Sequence, residues 1–394
     1  MAVSKRLGLA GIILLMIAIG IWVALPKHSN SSGSDTDVPA PKSTAHELQV
    51  QPVNAPAKRI AASNMWTRIS PEVASRNYRR HGFAWILRQL GATEEQLNRL
   101  ADLDVAGVLA ELKQNAQAGD AASINILGEI ALQNCYLGRD NETVESYVAS
   151  QIRDVQAVPG IDASWFAAVM REDEAFNKKI HAVCAQVDVD EVMSWVKTRA
   201  EKGDGASLWL MFRDANNMTE IQQRLREAAA AGFPQAQFEL AWAILGGQEG
   251  AAGTGAAKVN AGELLKESLE QLPRSEMQLA ICEYSGCDGV PVDVDAAIKH
   301  AREAAQRGAI DAMLTIGPQL PAGQISPDEV TAWGLVQASL QQRGCGGNGF
   351  SVREMNGIVS TLNAKNISAN ARTLAEQYWQ EYGAQMMRNI GYTE

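Results

Sequence analysis

Two stretches far apart in the chain share one arrangement of small, polar and aliphatic positions. "REAAAAGFPQAQFELA" runs from Arg226 to Ala241, and "AREAAQRGAIDAMLTIG" from Ala301 to Gly317. Each carries adjacent alanines, two more residues, a glycine, an alanine four further on and an aliphatic residue four beyond that. The frame recurs in "NAQAGDAASINILG" with Gly119, Ser123 and Leu127, and in "RAEKGDGASLWLM" with Gly203, Ser207 and Met211. Two degenerate units follow it, "KESLEQLPRSEMQLA" near Leu272 and "ASLQQRGCGGNGF" at Gly344, so the last three anchors fall 36 residues apart. The alanines sit on the last turns of one helix, and the glycine follows where a left-handed backbone carries no Cβ penalty. The next helix starts within three residues. Its small residue, Ala236 after Gly232 or Ala312 after Gly308, lets it approach the first closely, and the aliphatic falls on the same face. A short link makes the pair antiparallel, and a pair that cannot bury its apolar stripe alone stacks on the next. The pattern therefore predicts an all-α solenoid of antiparallel helical hairpins. Gly119, Gly203, Gly232, Gly308, Ala236 and Ala312 define its repeat.

Helix starts support this. Thr93-Glu-Glu-Gln96 starts a helix with leucines at 97 and 100, Ser326 with Glu329 forms a capping box with Pro327 at the first helical position, and Ser351 with Glu354 forms another. The tail "ARTLAEQYWQEYGAQMMRNI" spaces Leu374, Tyr378, Tyr382 and Met386 as one helical stripe suited to capping an array. No β-type alternation is present.

The skeleton resembles the Sel-one-like repeat, a relative of the tetratricopeptide repeat. The fullest copy, "CEYSGCDGVPVDVDAAIKHAREAAQRGAIDAMLTIG", matches that family's pattern at Tyr284, Gly286, Gly289-Val290, Asp293, Ala297, Ala304-Ala305 and Gly308. The other copies are degenerate: Gly119 and Gly203 are 84 residues apart, and "GGQEGAAGTGAAKVN" replaces the usual connector after the Gly232 unit. The resemblance covers about Leu112–Asn134 and Glu191–Gly317. It implies an adaptor or scaffold, because many Sel-one-like proteins assemble complexes, often at membranes.

The first 25 residues differ from the rest. Leu7–Leu25 has no charge over 19 residues, long enough as a helix to cross a hydrocarbon core of about 30 Å. Lys5, Arg6 and the amino terminus precede it, which leaves the N-terminus cytoplasmic by the positive-inside rule. An uncleaved anchor is the expectation and a cleaved signal peptide the alternative; Trp22-Val23-Ala24 is a poor cleavage site. Residues 26–62, rich in Ser, Pro and Asp, read as a flexible linker. The expected organisation is a cytoplasmic N-terminus at 1–6, a transmembrane helix at 7–25, the linker at 26–62 and N-terminal helices at 63–111. A degenerate repeat array at 112–345 and C-terminal capping helices at 346–394 complete it.

Of 35 Lys and Arg only Lys5 and Arg6 precede the apolar run, so the remainder carries a net charge of −12 beside −10 for the whole chain. No basic stripe stands out, and nucleic acid is not an expected partner. "GAAGTGAAK", Gly250–Lys258, lacks the Lys directly after the last glycine that a phosphate loop needs and reads as an inter-helix loop. His181 and Cys184 stand one helical turn apart, but no second pair at ligand spacing accompanies them, so no metal is expected. His28 and His46 lie in the linker; His81 and His300 fall among helix-surface charges. No nucleophile elbow, paired-His zinc helix or catalytic-cysteine signature occurs, and no catalytic residue or cofactor is assigned. Trp195, Trp209, Trp242 and Trp333 read as array core, or as binding anchors where they line a concave face.

All five cysteines follow the apolar run, where an oxidising compartment permits disulfides. Cys282 and Cys287 flank "EYSG", and Cys135 and Cys184 flank the excursion between the first two clear repeats. Bridges at those pairs are the expectation, with Cys345 left over. Secreted Sel-one-like relatives bridge paired helices with wider spacing than five residues. The expected protein is a single-pass, non-enzymatic adaptor whose bulk lies in the periplasm or another extracytoplasmic space, binding a protein or peptide. The alternative is a cell-wall or penicillin-related hydrolase of the secreted Sel-one-like type.

Overall fold

The computed structural model describes residues 65–343, apart from 67–68, 133–140, 157–162, 185, 216, 249–250, 252, 254–258, 288 and 322, together with 366–389. All lie in the second of two compact units, Arg59–Glu394; the first, Met1–Lys58, lies outside the described residues and takes the expected span Leu7–Leu25 with it. Among the described residues no helix is long and apolar enough to cross a membrane. Every regular element there is helical, and the sole pairing of extended backbone is an isolated bridge between Cys287 and Val290.

Four glycines set the hairpins. α3 (Val105–Gln117) and α4 (Ala121–Ile130) flank Gly119, and α7 (Val189–Ala200) and α8 (Gly205–Asp214) flank Gly203. α9 (Met218–Ala230) and α10 (Pro234–Leu245) flank Gly232, and α13 (Val294–Gln306) and α14 (Asp311–Ile316) flank Gly308. All four glycines have positive φ, between 80° and 102°. Each closes its helix with the same two bonds, seen at Gly308: its N–H donates to Ala305 O at 2.9 Å, and Ala309 N–H donates to Ala304 O at 2.9 Å. This is a Schellman closure, and it satisfies the last carbonyls of the first helix while turning the chain into the second. Where aspartate follows the glycine it caps that second helix: Asp120 accepts from Ser123 N and Asp204 from Ser207 N, both at 2.8 Å.

The fifth hairpin, α11 (Ala261–Ser268) with α12 (Pro273–Ser285), has no glycine in its turn. Its register differs by one from the expected anchor at Leu272. Leu272 has φ −126° and is the residue before α12, the place Phe233 takes before α10. Gln271 therefore stands where Gly232 stands, and the even spacing at 272 and 308 is lost.

The long gap between Gly119 and Gly203 is an inserted hairpin, α5 (Asn141–Gln156) and α6 (Ala163–Cys184), which packs on itself while α4 still packs directly on α7. A Cβ at Gly128 of α4 would meet Val196 Cγ2 at 2.8 Å and Leu210 Cδ1 at 3.0 Å, so glycine is what lets α4 touch α7 and α8 together. α3, the first helix of the Gly119 unit, starts at Val105, where Asp104 accepts from Gly107 N at 3.1 Å.

Before the array lie α1 (Pro71–Leu87) and α2 (Glu94–Ala101); after it lie α15 (Pro327–Gln342) and α16 (Ala369–Asn389). Thr93 and Gln96 form the full reciprocal capping box. Ser326 caps α15 through Glu329 N at 3.0 Å, but the Glu329 carboxylate does not turn back to complete the box; Arg302 of α13 takes both its oxygens, at 2.7 and 2.9 Å. Ser351 and Glu354 lie outside the described residues.

The two ends of the array meet. α1 packs on α2 and α6, and it also reaches the last helices. Asn77 Nδ2 donates to Arg343 O at 2.9 Å, and Arg88 Nη1 donates to Arg388 O at 2.7 Å. Trp66 Nε1 donates to Glu376 Oε1 at 2.9 Å. Ala74 of α1 and Ala338 of α15 share a small apolar cluster with Val148, Trp165 and Phe166 of the inserted hairpin. α1 is accordingly polar and buried at once: Ser75, Asn77, Arg79 and Arg80 are all buried. Arg79 Nε donates to Ala101 O at 3.0 Å and Arg80 Nε to Asn98 Oδ1 at 2.9 Å, which satisfies donors that would otherwise be expensive to bury.

Candidate binding face

The second helices of successive hairpins are tied side to side by a ladder of polar groups. Between α4 and α8, Ser207 Oγ donates to Asn125 Oδ1 at 2.6 Å, Asn125 Nδ2 donates to Asp204 Oδ1 at 3.1 Å, and Arg213 pairs with Glu129. Between α8 and α10, Trp209 Nε1 donates to Glu239 Oε2 at 3.0 Å, and within α10 Gln235 Nε2 donates to Glu239 Oε1 at 2.7 Å. The Arg213 guanidinium lies 5.0 Å from the Trp209 ring centroid. Asn125, Glu129, Ser207, Trp209 and Gln235 are buried.

Two acids in this ladder shift in opposite directions. Desolvation pushes Asp204 up, but Arg199, the Ser207 N–H and hydroxyl, and the Asn125 amide outweigh it and hold the carboxyl below its ordinary value. For Glu239 burial wins: the carboxyl is pushed up despite the donors from Gln235 and Trp209. Both Glu239 oxygens are engaged, so the group is held still between two helices.

At α12 the face changes character. Arg274 projects over the Trp85 ring of α1 at 5.5 Å, and its charge feels Asp311 of α14. Further along, Glu276 and Arg307 pair at 2.9 Å, and His300 Nδ1 lies 2.7 Å from Glu283 Oε2. His300 is thus half-buried against a carboxylate of the neighbouring helix rather than standing among surface charges. Trp333 stacks on Tyr378 at 4.3 Å between ring centroids, and burial pushes the Tyr378 hydroxyl up to about 12.

The tryptophans of the array divide. Trp209 and Trp333 are core, while Trp195 and Trp242 are partly buried. Cys282 and Cys287 are bonded to each other. Cys184 is also disulfide-bonded, which removes it as a metal ligand beside His181; Cys135 lies outside the described residues. Among the described residues no group of three or more His, Cys, Asp or Glu is placed to hold a metal ion. Most of Gly250–Lys258 lies outside the described residues. The polar ladder was missed in the sequence because its members come from three helices that lie far apart in the chain. For Asn125, Trp209 and Glu239 the one available signal was position, two or three residues after the small residue of each second helix.

Glycine-closed hairpins stacked through their second helices define a helical-repeat solenoid. The chain is similar to two solved structures of this kind. One is a Sel1 repeat protein from Oxalobacter formigenes, 18% identical, with 72% of this chain and 88% of that chain covered and a TM-score of 0.36. The other is c5321, a protective antigen present in uropathogenic Escherichia coli strains displaying an SLR fold, 14% identical, with 73% and 75% covered and a TM-score of 0.29. Both belong to the repeat class that the sequence skeleton resembles. No family model matches the chain, and no curated protein matches it.

Proposed function

We propose that this protein is a membrane-tethered adaptor that binds a protein or peptide partner on the face formed by its second helices, on the non-cytoplasmic side. The observation that carries the reading is the ladder from Asn125 to Glu239. It holds α4, α8 and α10 side by side through polar groups that are themselves mostly buried, and a repeat array offers the face of helices so aligned to an extended partner. The tether reading rests on the uncharged run Leu7–Leu25 behind Lys5 and Arg6. The sidedness is supported by the disulfide-bonded state of Cys184, Cys282 and Cys287, which suits an oxidising compartment.

Two measurements test this. Crosslinking of the full-length chain in intact cells should capture a defined partner, and capture should weaken when Arg213 and Glu239 are both replaced by alanine. A reporter active only in the cytoplasm, fused after Glu394, should be silent. A strong reporter signal overturns the sidedness. Purified chain that captures no partner, yet hydrolyses a cell-wall fragment with saturable kinetics, overturns the adaptor in favour of the hydrolase.

A further inference from the structure

Met65 and Trp66, just ahead of α1, are seated on the last two helices. Met65 is 1% exposed and joins the apolar core around Trp333, Val336 and Trp379. Its carbonyl accepts from Ser339 Oγ at 2.6 Å and from Arg343 Nη1 at 3.2 Å. Trp66 donates through Nε1 to Glu376 Oε1 at 2.9 Å, and the Arg372 guanidinium lies 5.6 Å from its ring centroid. These polar partners all belong to α15, its C-cap Arg343 and α16, and they hold one another without the segment. Arg343 Nη1 also donates to Ser339 O at 3.1 Å and to Ser339 Oγ at 2.7 Å, and its guanidinium lies 4.7 Å from the ring centroid of buried Trp379. Because the Ser339 oxygen already accepts from Arg343, its own hydrogen is left for the carbonyl. Ser339 and Arg343 are 0% and 4% exposed, so two buried donors converge on one main-chain oxygen. The chain just beyond the segment has anchors of its own. Ile69 O accepts from Trp165 Nε1 at 2.9 Å, and Asn77 of α1 donates to Arg343 O at 2.9 Å. Release of Met65-Trp66 therefore does not require α1 to leave.

We propose that this seat on α15 and α16 is a peptide-recognition site, that Met65-Trp66 is its autoinhibitory occupant, and that its partner is an extended segment of another protein in which an unbranched apolar side chain precedes a tryptophan. The proposal goes beyond the adaptor reading and does not rest on the face of the second helices. The seat has the parts that recognition of an extended peptide needs: donors that fix one main-chain carbonyl, and separate environments for two successive side chains. The occupant in place shows the chemistry that fits. A flexible thioether fills irregular apolar space, and the indole offers one donor to Glu376 and a ring face to Arg372. The occupant is joined to anchored Ile69 through two intervening residues, so it competes at an effective concentration on the order of millimolar. An external segment binds only with the fraction of molecules whose seat is vacant, and its apparent affinity falls in proportion.

The test uses the full-length chain and a fluorescent peptide with the sequence of Ala62–Ile69, blocked at both ends. The double variant Met65→Ala, Trp66→Ala vacates the seat. It should bind the peptide saturably, and the parent should bind it at least about tenfold more weakly. A peptide with alanine in place of both the methionine and the tryptophan should not bind. Ser339→Ala, added to the double variant, should weaken the peptide roughly fivefold, as loss of one donor to the carbonyl requires. If the double variant loses native helix signal, Trp66→Ala alone replaces it and should still bind the peptide more tightly than the parent does. Absence of saturable binding to the folded variant overturns the proposal. So does equal binding by the parent, equal binding of the alanine peptide, or indifference to Ser339→Ala. Mixed with the parent in sedimentation, the double variant should form no joint species; a stable pair of the two chains assigns the seat to a second copy and overturns the choice of partner. A seat that ignores the peptide, in a protein that still captures its partner in cells, sinks this site and leaves the adaptor standing. Peptide binding at the seat with no partner captured does the reverse.

Discussion

Ser339 Oγ donates to the carbonyl of Met65 at 2.6 Å, joining residues 274 positions apart. The same carbonyl accepts from Arg343 Nη1 at 3.2 Å, and Arg343 also bonds Ser339 O and Oγ while its guanidinium lies 4.7 Å from the Trp379 ring centroid. Arg343 therefore ties the start of the folded unit to α15 and α16 at once. Replacing it with methionine leaves the Met65 carbonyl with one donor and removes the guanidinium bonds to Ser339, and should destabilise the protein by roughly 2–4 kcal/mol. Ser339→Ala, which leaves the Arg343 bond in place, should cost only about 1 kcal/mol. Urea midpoints of the two variants check the ranking, and equal midpoints would show that the closure does not depend on Arg343.

The glycine closures separate two penalties that are usually mixed. At Gly232, φ is +80° and an added Cβ would meet nothing within 4 Å, so Gly232→Ala carries the backbone term alone, roughly 1–2 kcal/mol. At Gly91, φ is +99° and the added Cβ would sit 2.7 Å from Ala122 Cβ. Gly91→Ala should therefore cost more than Gly232→Ala. Adding Ala122→Gly should recover the steric part but not the backbone part. A double-mutant cycle in denaturant measures the recovered fraction; complete recovery would mean that the left-handed conformation carries no penalty.

The Cys282–Cys287 bond closes a short loop at the exit of α12. By loop-closure entropy Cys287→Ser should lower stability by about 2 kcal/mol, less than a long-range bridge would. Alkylation of the denatured, unreduced protein, read by peptide mass spectrometry, should leave Cys184, Cys282 and Cys287 unmodified. Labelling at any of the three contradicts the oxidised state.

Glu239 gives stability a definite pH slope. Burial raises its folded pKa above 4.5, so the folded protein holds that proton more tightly than the unfolded chain does. The contribution is fully present below the unfolded value. It is lost as pH climbs through the raised folded value. Glu239→Gln cannot titrate and keeps the side-chain shape. From about pH 4 to about pH 8 the melting temperature of the parent should fall relative to the variant. Parallel melting curves across that range would falsify the assignment.

The hairpins were legible because their signal is local: a glycine that must take positive φ, alanines three and four residues before it, and a small residue four after. Where the same backbone closure uses another residue the signal vanishes. Leu103 has φ +69°, and Asp104 N donates to Arg99 O at 2.9 Å in the same arrangement, but a leucine announces nothing. Register failed at Leu272 for the same reason, since no glycine marks Gln271. α1 falls among the N-terminal helices expected at 63–111, but nothing in the sequence marked it as the buried strut it is. Arg79 and Arg80 look like surface residues, and the partners that allow their burial, Ala101, Asn98 and Glu94, come from α2. The joining of the two ends rests on bonds between residues 266 and 310 positions apart, Asn77 with Arg343 and Trp66 with Glu376, which no single motif encodes.

An open solenoid can gain or lose a hairpin and remain a solenoid, because each unit answers only to its neighbours. This one cannot, because Met65 must arrive within reach of Ser339. Its repeat number is a fixed quantity, set by geometry in the way that the number of staves sets the girth of a barrel. The chain has grown in a place where this rule is not broken: the α5–α6 hairpin leaves the circuit after α4 and returns at α7, and α4 still touches α7. Duplication of a complete hairpin elsewhere, between α8 and α9 for instance, would lengthen the circuit and part the seam.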